Sequence, residues 1–264
     1  MSVVIEGRGL HTGAPARLVL ARCDGPATLC GAPVRELRAA SADRATRVSL
    51  PGRSVLTVEH LFAAMAGLGL HEGVAIELDG PEIPLADGRA RAFVTALASL
   101  DIAPCVPPSR VVKNGVIAVG ASTYVFERGH GARVDVAMSF DDARLAREAS
   151  WRGDAKDFAD RIAPARTFAF ARDVEELAAR GLATHVAPES VVVIAEDGLL
   201  SAGDPAAWDE PVRHKLLDLI GDLFLYGGPP VGAVRATNPG HFVTHAVMRA
   251  AIAEGLVAIS TPRA

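Results

Sequence analysis

The sequence predicts an α+β protein of two domains, and three observations carry that expectation. At 264 residues the chain is long for one hydrophobic core and natural for two compact units. The stretch "APCVPPSR" at 103–110 holds Pro104, Pro107 and Pro108, which neither a helix interior nor a central strand accommodates. Stretches that read as strands run mostly in succession before helices, which favours α+β over a doubly wound sheet. The expected domains are therefore residues 1–105 and 106–264.

In the first part, "SVVIEG" reads as a strand by its alternation of apolar and polar residues. "GRGLHTGAPARLVLARC" follows as a turn and a strand, and "LPGRSVL" is bounded by its proline. A helix is expected from about Thr57, a strand at "GVAIELDG", a turn at "PEIPLADG" and a helix through "ARAFVTALASL". In the second part "RVVKNGVIAV", "STYVFERG" and "ARVDVAMSF" read as strands. A helix at 173–180, a strand "SVVVIAED", a long helix at 211–226 and a strand "GAVRATN" come next. The final helix "HFVTHAVMRAAIAEG" leads to a closing strand "VAIST".

Half of the residues are hydrophobic, enough for a sizeable core, and the net charge of −4 exerts no global pull toward nucleic acid or anionic membranes. Cys23, Cys30 and Cys105 form no CxxC pair, and their odd number argues against a disulfide framework. "MSVVIEGRG" lacks the basic and apolar regions of a signal peptide. The longest apolar run, around 61–70, falls far short of the ~20 residues that span a bilayer. A soluble, cytoplasmic protein without nucleic-acid partners or stable membrane insertion is expected, and a monomer.

The chemistry concentrates in a few places. In "EPVRHKLLDLIGDLFLYGG", His214, Asp218 and Asp222 stand four residues apart and so share one stripe of an otherwise apolar helix. Burying such groups without partners costs a few kcal/mol, so the stripe needs partners. It reads either as a hydrogen-bonding stripe at a domain interface or as metal ligation by His214 and Asp218, with Asp222 orienting another histidine. In "SVLTVEHLFAAMAGLGL", Thr57 is a candidate N-cap, and Glu59 and His60 fall in the first helical turn. A helix N-terminus disfavours imidazolium, which suits a ligand, and a carboxylate beside a ligand histidine can reach the attacking water. Position 64 is Ala, so no HExxH pattern exists, and a capped helix with a solvated Glu-His pair is the alternative.

Three further pieces are weaker alone. In "RATNPGHFVTH", Gly240 permits a tight turn just before His241, which reads either as a functional loop or as an ordinary helix start. His11 in "GRGLHTGAP" reads as a turn, and Thr167 in "APARTFAFARD" as packing. His71, His130 and His185 have no partner pattern.

Taken in order, "GLHTG", "TVEHL", "PEIP..DG", "ARTF.F", "RHKLLDLIGDL" and "GH" before the last helix resemble the UDP-3-O-acyl-N-acetylglucosamine deacetylases, over about residues 3–255. The resemblance implies two α+β domains, each a small β-sheet layered on α-helices, with the active site between the helix layers. It also implies an inserted strand-helix unit around 168–195 that shapes an acyl-chain passage. His60, His214 and Asp218 would bind Zn(2+), and Glu59 would be the general base. His241, paired with Asp222, would stabilise the oxyanion and protonate the leaving amine, with Lys215 and Thr167 helping to hold the tetrahedral intermediate. The implied substrate is an acylated UDP-amino sugar, deacetylated in the committed step of lipid A biosynthesis. Alternatives are a diverged deacetylase for another acetamido sugar or acyl-amide, Fe(II) chemistry on the same ligands, or a non-catalytic zinc-binding protein. Glu59 favours water activation over oxygen chemistry, and metal binding alone requires none of Glu59, Lys215, Asp222 and His241. Departures from the family pattern are Asn238 in place of a basic residue, "GLATHVAPES" in place of a glycine-rich loop, and "GHFVTH".

Overall fold

A computed structural model describes residues 1–42, 44–174 and 187–260. The architecture is mixed α/β, as expected, with small sheets layered on helices. Among the described residues, no sheet mixes strands from the two sides of the proline-rich stretch at 103–110.

Before that stretch, one sheet has the order Ser2–Arg8, Pro15–Pro26, Glu72–Asp79, Thr28–Leu29, Ala32–Pro33. Alternation decides its buried face: Leu18 lies opposite Leu78 and Leu20 opposite Ile76, all buried. A second, three-stranded sheet of Arg38–Ala42, Ala45–Leu50 and Arg53–Leu56 lies in a region where the sequence pattern gave little signal. After the prolines, a sheet runs Gly115–Val119, Ser122–Ala137, Val231–Thr237, Ser109–Val111, Val257–Ile259, with Glu148–Trp151 against Ser122–Ala137. The strands expected at "STYVFERG" and "ARVDVAMSF" are one continuous element, whose register against Val231–Thr237 turns over between Glu127 and Ala132. Thr167–Phe170, Val191–Ala195 and Gly198–Leu200 form the last small sheet.

Two helices matter most for the site. Every residue of Glu59–Gly67 is buried, and this short helix packs along the long helix Glu210–Phe224. The Phe62 and Phe224 rings sit 5.3 Å apart between them. Burying each such side chain contributes about 1.5–3 kcal/mol. The close approach depends on Gly221, where a Cβ would collide with the main-chain carbonyl of Glu59. The core is continuous through these helices and the sheets on either side.

Thr57 is not the N-cap expected from the sequence. The helix starts at Glu59 after Val58, and no side chain caps it. Thr57 instead has φ +56, and its hydroxyl donates to Glu82 at 2.6 Å. The buried Glu82 carboxylate also takes the main-chain N–H groups of His11 and Thr12, so it competes successfully for the hydroxyl. The helix expected at 173–180 and the loop at 181–190 fall largely outside the described residues, as does the middle of the unit expected at 168–195.

Candidate metal centre and active site

His214, Asp218 and Asp222 occupy one stripe of the helix Glu210–Phe224, and all three are buried. The partners that such a stripe requires come from three other elements. His60 is the second residue of the helix Glu59–Gly67, and its ring meets that of His214 edge-on at 5.0 Å. The ligating atoms of His60, His214 and Asp218 all lie within 4.8 Å of one another.

Each member is held in the protonation state a metal ligand needs. The Nδ1–H of His214 donates to the Ala165 carbonyl at 3.1 Å, which leaves Nε2 bare, 3.4 Å from Asp218 Oδ1. Burial pushes His60 down to about 3 and also lowers His214, so both imidazoles are neutral. Burial works against the Asp218 charge, but Lys215 Nζ at 2.8 Å holds its carboxyl well below the usual range. Two neutral imidazoles and one carboxylate converging on a buried point form a donor set that fits a divalent metal ion, zinc among them.

The Ala165 carbonyl is itself pinned. Arg166 is fully buried and makes a two-point ion pair with Glu210, at 2.8 and 3.0 Å, in the first turn of the long helix. Its main-chain N–H donates to the same carboxylate at 2.9 Å. The pair ties the segment before Thr167 to the helix that carries His214.

Beside the triad stand a buried carboxyl and a further imidazole. Glu59 is buried, its Oε2 accepts the Thr46 N–H at 3.1 Å, and burial pushes its carboxyl up to about 8. His241 opens the helix His241–Ala253, and its Nδ1–H donates to Asp222 Oδ2 at 2.8 Å. Burial opposes its charge, yet Asp222 overcomes that and raises His241 to about 9. Its Nε2 then faces Glu59 Oε1 at 3.9 Å and Asp218 Oδ2 at 4.0 Å. A carboxyl near neutrality and an imidazolium flanking the triad are suited to moving protons in opposite directions.

Lys215 reaches the cluster through Asp218. Thr167 is half-buried on the strand Thr167–Phe170, its N–H donating to Gly88 at 3.0 Å. Among the described residues, no hydrogen bond joins its hydroxyl to the triad; the following Phe168 meets the His214 ring at 6.2 Å. Asn238 has φ +49 and its side chain accepts the Ser139 N–H at 2.7 Å. Arg235, the nearest cation along the strand, is bound to Glu127 at 2.7 Å on the exposed side, while Val234 and Ala236 point into the core. It does not stand in for the missing basic residue.

The sequence reading missed Thr46, His245 and Tyr226, all bonded around Asp222 or its partners. His245 lies four residues after His241, and the spacing argument applied to His214 and Asp218 would have found it. Thr46 is 176 residues from Asp222 and carries no local signal.

The family model described as UDP-3-O-acyl N-acetylglycosamine deacetylase matches residues 1–253. The chain is 35% identical over 96% of its length to a UDP-3-O-acyl-N-acetylglucosamine deacetylase of Anaeromyxobacter sp. (strain Fw109-5), covering 86% of that protein. It is 34% identical to the protein of that name in Myxococcus xanthus (strain DK1622), over 93% of this chain and 82% of the other. To that of Brucella melitensis biotype 2 (strain ATCC 23457) it is 30% identical, over 96% and 93%. With the family model spanning nearly the whole chain, the protein belongs to the UDP-3-O-acyl N-acetylglycosamine deacetylase family.

Proposed function

We propose that this chain is a zinc-dependent hydrolase that removes the N-acetyl group of UDP-3-O-acyl-N-acetylglucosamine, releasing acetate and the free amine. The observation that carries the reading is the meeting of three elements in one buried cluster. They are the His60–His214–Asp218 triad, Glu59 and the His241–Asp222 pair, in a chain of this family. Its place in the committed step of lipid A biosynthesis, a cytoplasmic location and a monomeric state belong to the same proposal.

His60, His214 and Asp218 would hold the zinc, which supplies Lewis acidity, lowering the pKa of water and polarising the amide carbonyl. Glu59 takes the proton released as water adds to the acetamide carbon. His241, held as imidazolium by Asp222, faces the oxyanion and gives its Nε2 proton to the amine nitrogen as the C–N bond breaks. Lys215 and Thr167 would help hold the tetrahedral intermediate, by positive charge and by a hydroxyl donor. The direct test is mass spectrometry of products after incubation with UDP-3-O-acyl-N-acetylglucosamine, with and without a chelator. Metal-dependent loss of one acetyl group supports the reading, and an unchanged substrate at full metal occupancy rejects it.

One observation favours a second reading, a diverged deacetylase for another acetamido sugar or acyl-amide. Asn238 is uncharged where the family pattern has a base, its side chain is committed to Ser139, and Arg235 faces away. Cleavage of a non-nucleotide acetamide in preference to the UDP-sugar would select this second reading.

A further inference from the structure

Thr46, on the strand Ala45–Leu50, is fully buried and touches both halves of the acid–base apparatus. Its N–H donates to Glu59 Oε2 at 3.1 Å, and its hydroxyl lies 2.6 Å from Asp222 Oδ1. A carboxylate only accepts, so the single hydroxyl proton points at Asp222. The hydroxyl oxygen then offers only lone pairs to its other neighbours. One is His245 Nε2 at 2.9 Å, which must therefore carry a proton. The other is His241 Nδ1 at 3.3 Å, whose shorter bond runs to Asp222.

His245 is itself buried on the face of its helix that meets Thr46. With its proton on Nε2, the neutral ring has a bare Nδ1, and the Tyr226 hydroxyl stands 3.2 Å from that atom as donor. The protons in the row from His245 through Thr46 to Asp222 thus have one direction, while the Tyr226 hydroxyl has the His245 carbonyl at 3.4 Å as a second acceptor. The row ends on Oδ1 of a carboxylate whose Oδ2 holds His241. A carboxylate bonded at one oxygen can swivel; bonded at both it is fixed, and the ring it carries is fixed with it.

We infer that Thr46, backed by His245 and Tyr226, is a positioning residue for the reaction, locking Asp222 so that His241 Nε2 keeps its aim at the reacting atoms. The inference rests on the deacetylase reading above for its kinetic test, and on geometry alone for its second test. The hydroxyl of Thr46, and behind it His245 and Tyr226, would act through Asp222.

Thr46→Val keeps side-chain volume and the N–H to Glu59 while deleting the hydroxyl. A hydrogen bond to a charged group is worth ~1.5–3 kcal/mol, so kcat is expected to fall roughly 10- to 150-fold. KM for UDP-3-O-acyl-N-acetylglucosamine should stay within about twofold, because the lost interaction orients the acid rather than the substrate. Thr46→Ser restores the donor and should recover most of the rate, while His245→Leu should fall between. Metal content, measured alongside, verifies folding; if Thr46→Val fails to fold, His245→Leu and Tyr226→Phe carry the same split of kcat from KM.

The second readout needs no turnover. Ring ¹⁵N shifts of His245 should report a neutral ring protonated at Nε2 in the wild type, and a loss of that fixed tautomer in Thr46→Val. Wild-type kcat in Thr46→Val, an equal loss in Thr46→Ser, or a His245 protonated only at Nδ1 would each overturn the inference. A wild-type protein that ignores the sugar nucleotide yet shows the Nε2–H tautomer and its loss in Thr46→Val would reject the substrate, not the positioning row.

Discussion

His241 Nδ1 lies 2.8 Å from Asp222 Oδ2, and this pairing reverses what burial does to every other histidine around it. Burial drives His60 and His214 to the neutral form, while His241, also buried, rises to about 9. One helix stripe therefore borders two neutral imidazoles at one end and a cation at the other.

Asp222→Asn removes the main influence that opposes burial at His241, leaving only Glu59 and Asp218, so its titration should drop below 9 and the alkaline limb of the rate profile should move acidward. The folded pKa lies above the ordinary 6.5, so the associated stability is present below pH 6.5 and lost as pH rises through about 9. The variant should accordingly be destabilised more at pH 6 than at pH 10 in denaturant melts. Equal destabilisation at both values would show that the pair is not ionic.

Glu59 gives the opposite sign in the metal-free protein. Its carboxyl is raised from 4.5 to about 8, so the folded state binds the extra proton between those values and stability falls as pH rises through that window. With chelator present, Glu59→Gln should flatten this decline and be more stable than wild type at pH 8. Parallel melting curves for the two proteins from pH 5 to 8 would contradict the burial argument.

Gly221→Ala places a methyl against the Glu59 carbonyl. Overpacking of this kind costs typically about 1–3 kcal/mol and shifts backbone. Because the displaced backbone carries both Glu59 and His60, activity and metal affinity should fall together with stability. A variant with wild-type melting and turnover would mean that the two helices do not meet this closely.

Asn238→Arg tests the sugar-nucleotide reading. A charge-assisted contact to phosphate is worth ~1.5–3 kcal/mol, so KM for the UDP-linked substrate should fall roughly tenfold or more with kcat little changed. The lost bonds to Ser139 and the strained φ of +49 should lower stability at the same time. A KM that does not move would favour the non-nucleotide substrate.

The helix stripe and the Glu59-His60 pair were legible because both rest on local sequence: a fixed i, i+4 rise, and adjacent residues in the first turn of a helix. The expected fold class followed from the same local patterns. Thr57 misled because its N-cap signature is local, whereas the Glu82 carboxylate that claims its hydroxyl arrives from 25 residues away. Thr46 was invisible for the same reason, its partner being 176 residues distant. The continuous strand Ser122–Ala137 was read as two because Gly129 and Gly131 signal a break, while tertiary pairing with Val231–Thr237 holds the segment in the sheet.

The central claim is a division of labour: His60, His214 and Asp218 hold the metal, and Glu59 beside them only moves a proton. Metal content and product formation measured side by side in Glu59→Gln and His214→Ala test it most directly. The expected result is about one equivalent of metal in Glu59→Gln with a rate lowered roughly 10²-fold or more, and loss of most metal in His214→Ala. Metal lost from Glu59→Gln but fully retained in His214→Ala would contradict the assignment.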